Sequence, residues 1–285
     1  LGGALTRRLL KQGWRVRGFD LDPEAATRFS DAGGLLCASL AECVEDSPRI
    51  VLSLPDSQVA QTVLEQILLI CQDRSPRAGI VILDTTTGEP DAMARNAELA
   101  RVQEIGYLDA CIGGSSQEAE RGEAILMVGG DPTHVECARS LLDALASCVF
   151  PLDRPGDGAR MKLVTNLVLG LTRGALAEGM SFAEGLGLDS QTTLEILEAG
   201  PARSHAMQVK GKQMIERDFK PRARLAQHLK DVRLILDSAR RAGRPVPFTV
   251  THEKILNLCI QEGWGDLDNS AVLLGYYSEK ITKLE

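Results

Sequence analysis

The segment Gly156-Asp157-Gly158-Ala159-Arg160-Met161-Lys162-Leu163-Val164-Thr165-Asn166 sets one lysine and, four residues later, one asparagine in a long apolar run behind a glycine break. On a helix Lys162 and Asn166 share a face, so an ammonium and an amide point at one place. Polar groups in apolar surroundings must be paired or must face a ligand cleft, because an unsatisfied buried lysine is costly. The alternative is a snorkelling lysine beside a capping asparagine.

A second constellation opens the chain. Leu1-Gly2-Gly3-Ala4-Leu5 stands directly before a helical pattern, and Asp20 ends the strand pattern that follows. A glycine at a helix start lets a dinucleotide pyrophosphate approach the amide groups, and an acid at the tip of the second strand hydrogen-bonds the adenosine ribose. The full fingerprint also needs a preceding strand and two more glycines, which implies that this chain starts inside a longer one. The alternative for Gly2 and Gly3 is a flexible terminus, and for Asp20 a turn acid before Pro23.

These groups require a scaffold, and the 285 residues can bury a sizeable core in two domains of ordinary size. A composition of 44% hydrophobic and 25% charged residues is an ordinary globular balance. The net charge, 32 minus 39 or −7, gives no electrostatic footprint for nucleic acid or an anionic membrane, so a small-molecule partner is expected. Seven cysteines without a CxxC pair argue against a disulfide framework and fit a reducing cytoplasm. No apolar run reaches the length of a membrane span. The four histidines lie at no zinc-ligand spacing, so no metal is indicated.

The first half alternates helical and strand patterns. Helices are expected at 4–12, 23–32, 59–71 and 90–105, with strands at 15–20, 50–54, 79–84, 107–110 and 124–128. Such alternation implies right-handed crossovers and a parallel sheet covered on both faces. Beyond about residue 157 only long helical patterns remain, at 159–186, 191–199, 225–242 and 247–261. The expected architecture is therefore α/β, a Rossmann-type doubly wound sheet over 1–155 followed by an all-helical domain over 156–285.

Taken in order, these motifs resemble the beta-hydroxyacid dehydrogenase family, the group of 3-hydroxyisobutyrate dehydrogenase and tartronate semialdehyde reductase within the 6-phosphogluconate dehydrogenase superfamily. Leu1-Gly2 resembles the tail of the family's GxGxMG loop, and Leu54-Pro55-Asp56 its cofactor-contacting LPD turn. Asp84-Thr85-Thr86-Thr87 resembles the DxST segment beside the nicotinamide. Asp109-Ala110-Cys111-Ile112-Gly113-Gly114-Ser115 lies where the family has DAPVSGG, its substrate loop. Residues 156–166 resemble GxGxxxKxxxN, and Lys230-Asp231 a KD pair near the active site.

The resemblance implies an NAD(P)-dependent oxidoreductase that moves a hydride between a nicotinamide cofactor and a small 3-hydroxy acid or its semialdehyde. It makes Lys162 the general acid/base and Asn166 its substrate-orienting companion. It assigns Gly113, Gly114, Ser115 and Lys230 to the substrate carboxylate, and Leu1, Gly2, Asp20, Leu54, Pro55, Thr87, Lys230 and Asp231 to the cofactor. A lysine acting as a base needs a pKa lowered towards working pH, and partial burial beside a cationic nicotinamide pushes that way.

Departures from the family pattern bear on the substrate. Gly113-Gly114-Ser115-Ser116 replaces Ser-Gly-Gly-Pro, and Cys111 takes the usual proline. Ser115 or Ser116 must then supply the hydroxyl from a shifted position, or backbone amides serve alone; turn chemistry is the alternative for both serines. Cys111 has no adjacent histidine to activate it and reads as a small buried residue.

Asp20 followed by Leu21 favours NAD over NADP, since a carboxylate repels a 2′-phosphate and NADP-preferring members carry an arginine just after the strand. Arg17 and Arg28 weaken that inference slightly. An imine reductase-like enzyme and a catalytically silent dinucleotide-binding scaffold are the competing readings, and the retained Lys162 and Asn166 disfavour both. Relatives pair through the long helix starting near Ala159, which implies a homodimer or homotetramer, and Gly170, Gly174, Gly179 and Gly185 would allow close helix packing there.

Overall fold

The computed structural model describes residues 1–73 and 79–281. The chain divides into two compact units, Leu1–Lys162 and Leu163–Glu285. The first carries helices α1 (Gly2–Lys11), α2 (Pro23–Asp31), α3 (Leu40–Val44), α4 (Ser57–Ile70), α5 (Pro90–Val102), α6 (Ser116–Arg121), α7 (Pro132–Cys137) and α8 (Arg139–Leu145). Its strands are β1 (Arg17–Gly18), β2 (Leu35–Leu36), β3 (Arg49–Leu52), β4 (Val81–Asp84), β5 (Gly106–Gly113), β6 (Ile125–Gly129) and β7 (Cys148–Leu152). Helix α9 (Asp157–Gly185) contains the division point, and α10 (Ser190–Ala199), α11 (Lys212–Glu216), α12 (Leu225–Arg241), α13 (Pro247–Gln261) and α14 (Val272–Gly275) follow.

Strands β3 to β7 form one sheet in chain order, and β1 pairs with β2 in parallel. Alternating side chains give the larger sheet two apolar faces. Val81, Leu83, Leu108 and Leu126 pack on one side with Leu5 and Leu9 of α1 and Leu141 of α8. Ile82, Tyr107 and Met127 face the other side with Leu64 and Ile67 of α4 and Met93 of α5. This period of two with cover on both faces is what a doubly wound sheet requires. Aspartates 22, 56 and 131 cap α2, α4 and α7, and a proline begins α2, α5 and α7.

One pairing departs from the expected all-parallel sheet: β5 and β6 run antiparallel. A crossover would have to return the chain along a strand of about 16 Å, whereas the single helix in the connection, α6, rises only about 9 Å. The short link therefore turns the chain back directly. The edge strand β7 escapes an apolar-run reading because it contains Pro151, which an edge position tolerates.

In the helical unit, Leu176, Met180, Leu194, Leu229, Val232, Ile255 and Leu256 form a core of their own. Helices α9, α10, α12 and α13 match the expected segments, and α14 does not come from one of them. Two additions come from 200–224: a π-helical turn at Met207–Gly211 and the short α11. On α9, Gly170 and Gly174 face the unit's own His228 and His252, while Gly179 and Gly185 have nothing within 4 Å. The first two glycines are thus already used by packing inside the unit. No described helix is long and apolar enough to cross a membrane.

Candidate active site

The carboxyl ends of β3, β4 and β5 hold most of the expected site residues of the first unit, as an open α/β sheet predicts. The loops after β3 and β4 are tied to each other by side-chain bonds. Thr85 Oγ1 donates to the Leu52 carbonyl at 2.7 Å, the Leu54 amide donates to Thr86 Oγ1 at 3.3 Å, and the Glu89 amide donates to Ser57 Oγ at 2.8 Å. Asp56 is spent as the α4 cap, accepting from the amides of Gln58 and Val59 at 3.0 and 2.9 Å. Half-buried Leu54 and Thr87 and exposed Pro55 line this edge.

Asp84 is fully buried at the end of β4, where it accepts from the Thr86 amide at 2.9 Å and from the Tyr107 hydroxyl at 2.6 Å. Burial pushes its carboxyl up, against those two hydrogen bonds. It is the register partner of Asp109 on β5. Asp84 therefore shapes the Thr85–Thr87 turn rather than facing solvent.

The start of α1 lies beside this edge, since a Cβ on Gly2 would meet Ser53 Cβ at 3.4 Å. Leu1 occupies the cap position and makes no side-chain cap bond, and Gly2 and Gly3 carry no side chain over the first-turn amides. A helix start of this kind suits an anionic pyrophosphate. Asp20, exposed past the tip of β1, accepts from the Asp22 amide at 2.9 Å, which is the turn role given above as its alternative. The residues present fit a dinucleotide.

Asp109 is the feature that positions Lys162. Its carboxylate accepts from the Gly156 amide at 2.7 Å and the Ala159 amide at 2.8 Å, so a β5 side chain caps α9. Glycines make that approach possible. A Cβ on Gly158 would press on the backbone oxygens of Asp109 and Met127, and Gly156 has a left-handed φ of +86°. Lys162 stands just past this capped first turn, half-buried. Burial, with the Asp109 charge, pushes the Cys111 thiol up, while the nearby Lys162 ammonium pulls it the other way. That field places the lysine charge near the end of β5 and leaves Cys111 an inert thiol.

Burial also pushes the Asp109 carboxyl up to about 7, although both amide bonds favour its ionised form. A pKa raised in the folded state contributes stability that is complete below the unfolded value of about 3.9 and is lost as pH rises through the folded value. The stability of the protein relative to Asp109→Asn is therefore expected to fall by about 2 kcal/mol between pH 5 and pH 8. Urea unfolding of both proteins at the two pH values measures it, and a constant difference would contradict the burial of this acid.

The substrate-loop residues lie at the end of β5. Gly113 ends the strand, Gly114 is exposed, and Ser115 caps α6 by accepting from the Glu118 amide at 3.2 Å while its own amide donates to Glu118 Oε2 at 2.6 Å. The serine's turn chemistry is thus realised, with its hydroxyl hydrogen still available. In the helical unit, Asn166 Nδ2 donates to Asp231 Oδ2 at 3.1 Å, which leaves its second Nδ2 hydrogen to donate and its carbonyl to accept. Lys230 precedes that acid on α12, half-buried. The partners of Asp109 and Tyr107 lie far along the chain, so sequence spacing alone gives neither residue its positioning role. Among the described residues no group of three or more His, Cys, Asp or Glu could hold a metal ion.

Residues 1–152 match the family described as the NAD binding domain of 6-phosphogluconate dehydrogenase, and residues 156–276 match that described as NAD-binding of NADP-dependent 3-hydroxyisobutyrate dehydrogenase. The chain is 28% identical over 277 residues to 2-(hydroxymethyl)glutarate dehydrogenase of Eubacterium barkeri, covering 96% of this chain and 90% of that protein. It is similar to the structure of Mycobacterium tuberculosis 3-hydroxyisobutyrate dehydrogenase with L-serine, at a TM-score of 0.86 and 25% identity over 97% of this chain and 96% of that one. An imine reductase from Pseudomonas sp. shares the fold at a TM-score of 0.62, with 22% identity over 96% and 95% of the two chains. With a dinucleotide-type sheet edge, a helical second unit and a family match over both, the chain belongs to the beta-hydroxyacid dehydrogenase family.

Proposed function

We propose that the protein is an NAD-dependent dehydrogenase of a small 3-hydroxy acid, or reductase of the matching semialdehyde, with Lys162 as general acid/base. The observation that carries this reading is the Asp109 cap, which fixes the helix start bearing Lys162 at the sheet edge where a dinucleotide fits. The relatives support the substrate class, since 2-(hydroxymethyl)glutarate and 3-hydroxyisobutyrate are both 3-hydroxy acids.

A bound nicotinamide supplies the two-electron acceptor or donor, and the chain supplies positions and a proton. The first-turn amides of α1 at Gly2, with Leu1, Leu54, Pro55 and Thr87, hold the cofactor at the sheet edge, and Asp20 accepts from its ribose hydroxyls. In oxidation the substrate hydroxyl gives its proton to the Lys162 amine as the C–H bond breaks and its electron pair leaves with the hydride. Reduction returns that proton to the carbonyl oxygen. Asn166 hydrogen-bonds the same oxygen, and its bond to Asp231 sets the amide orientation. The amides of Gly113 and Gly114 and the Ser115 hydroxyl take the substrate carboxylate. From the helical unit, Lys230 and Asp231 are assigned to the substrate and cofactor by the family pattern. We further propose that the chain acts as a homodimer or homotetramer in the cytoplasm.

The preference for NAD over NADP rests on Asp20 and on its neighbours. Arg17 lies 3.9 Å from Glu42, and Arg28 lies 3.6 Å from Asp22 and 3.2 Å from Glu24, so both nearby cations already face acids. A 2′-phosphate beside the Asp20 carboxylate then costs enough to give about a tenfold or larger advantage in kcat/KM for NAD. Steady-state rates with the two cofactors test this; equal or faster turnover with NADP would overturn it.

A further inference from the structure

The substrate loop departs from the family pattern at Gly113 and Cys111, and the strand beside it fills the space this leaves. Strands β5 and β6 set Gly113 opposite Ile125 and Cys111 opposite Met127. Directly opposed residues share a face of the sheet, and alternation along β5 puts Asp109, Cys111 and Gly113 on that same face. A Cβ on Gly113 would lie 2.7 Å from Ile125 Cγ1, 3.1 Å from Ile125 Cδ1 and 3.5 Å from Met127 Cε. The room that a serine side chain would take at position 113 is therefore occupied by hydrocarbon.

The same face carries the start of α9. Asp109 caps that helix from β5, the Lys162 charge acts on the Cys111 thiol, and Cys111 lies two residues, about 7 Å, short of Gly113 along the strand. Between the lysine end and Gly113 this face has little hydrogen bonding to give. The Asp109 carboxylate is committed to the Gly156 and Ala159 amides, and the buried Cys111 thiol donates to the Thr86 carbonyl at 3.7 Å. The Met127 thioether is at most a weak acceptor. Ile125 is half-buried, whereas Leu126, Met127 and Val128 beside it on β6 are core residues.

A 3-hydroxy acid with its carboxylate at the Gly113 and Gly114 amides and its C3 oxygen at Lys162 has C2, the carbon between them, over this stretch. We infer that Ile125 is a specificity-determining residue: it presents an apolar wall to the C2 substituent, so that acids with a small alkyl branch at C2 are favoured over acids with a hydroxyl there. The inference rests on the roles proposed for Lys162 and the Gly113–Ser115 loop. A C2 hydroxyl would lose its water without gaining a partner, whereas a methyl group gains contact with the isoleucine.

Two compounds that differ only at C2 test this. 3-Hydroxyisobutyrate carries a methyl group there and glycerate a hydroxyl, and NADH absorbance follows oxidation of either at C3. The wild-type protein is expected to favour 3-hydroxyisobutyrate by about tenfold or more in kcat/KM. Ile125→Thr keeps a branched strand side chain and adds a hydroxyl, and should lower that preference about tenfold. Ile125→Val removes one methyl group and should lower kcat/KM for 3-hydroxyisobutyrate about fourfold while leaving glycerate unchanged. A purely structural defect lowers both rates together, so equal losses on the two compounds overturn the assignment. A wild-type ratio near one, or in favour of glycerate, overturns it as well. Turnover of other 3-hydroxy acids with neither compound accepted would also overturn it, while leaving the dehydrogenase reading in place. No turnover of any 3-hydroxy acid would remove both.

Discussion

Lys162→Ala is expected to lower kcat/KM by about 10²–10⁴-fold, the range that general acid–base catalysis contributes, with NAD affinity unchanged. The asymmetry is the informative part. The groups assigned to the dinucleotide, the α1 start, Asp20, the β3 and β4 loops and the Lys230–Asp231 pair of α12, belong to other elements, and the ties between Thr85, Thr86 and the β3 end do not involve the lysine. Removing the amine takes away the proton acceptor of the oxidation without altering that edge. Titration of NAD by fluorescence, beside steady-state rates, separates the two effects. A variant that turns over at the parental rate would remove Lys162 from the chemistry and reopen the imine reductase-like reading, while one that loses NAD binding in proportion to turnover would make its role structural.

Gly158→Ala is the second large effect, and its sign runs against helix propensity. At an ordinary helical site this exchange gains up to about 1 kcal/mol. Here the new Cβ would press on the carbonyl oxygens of Asp109 and Met127 and lie 2.8 Å from Asp109 Oδ2. Backbone oxygens in two strands of a packed sheet cannot swing away as a side-chain end can. The first turn of α9 must then retreat from its cap, which combines overpacking with a lost cap and costs about 3 kcal/mol. Because Lys162 rides on the same helix, turnover should fall even where the variant remains folded. Urea unfolding gives the stability change, and a neutral or stabilising result would contradict the account of how α9 is anchored.

How much of this was legible depended on the range of the interactions. Lys162 and Asn166 stood out because a four-residue spacing in an apolar run is a local signal, and the helices of the second unit followed from the same periodicity. The Ser115–Glu118 capping box is equally local and was open to reading as turn chemistry. Strand direction was not local. The antiparallel β5–β6 pair follows from the shortness of the intervening helix, not from anything in either strand. The Asp109 cap was hidden for a related reason, since its partners Gly156 and Ala159 lie 47 and 50 residues away. Gly129, Gly156 and Gly158 converge on the Asp109 carboxylate only in the folded chain.

The most direct test is the change in nicotinamide absorbance when the purified protein meets NAD and a panel of small 3-hydroxy acids, with NADH and the matching semialdehydes in reverse. The account predicts turnover on at least one member, lost in Lys162→Ala and weaker with NADP. Tight NAD binding with no turnover on any member would contradict it and would favour a dinucleotide-binding scaffold.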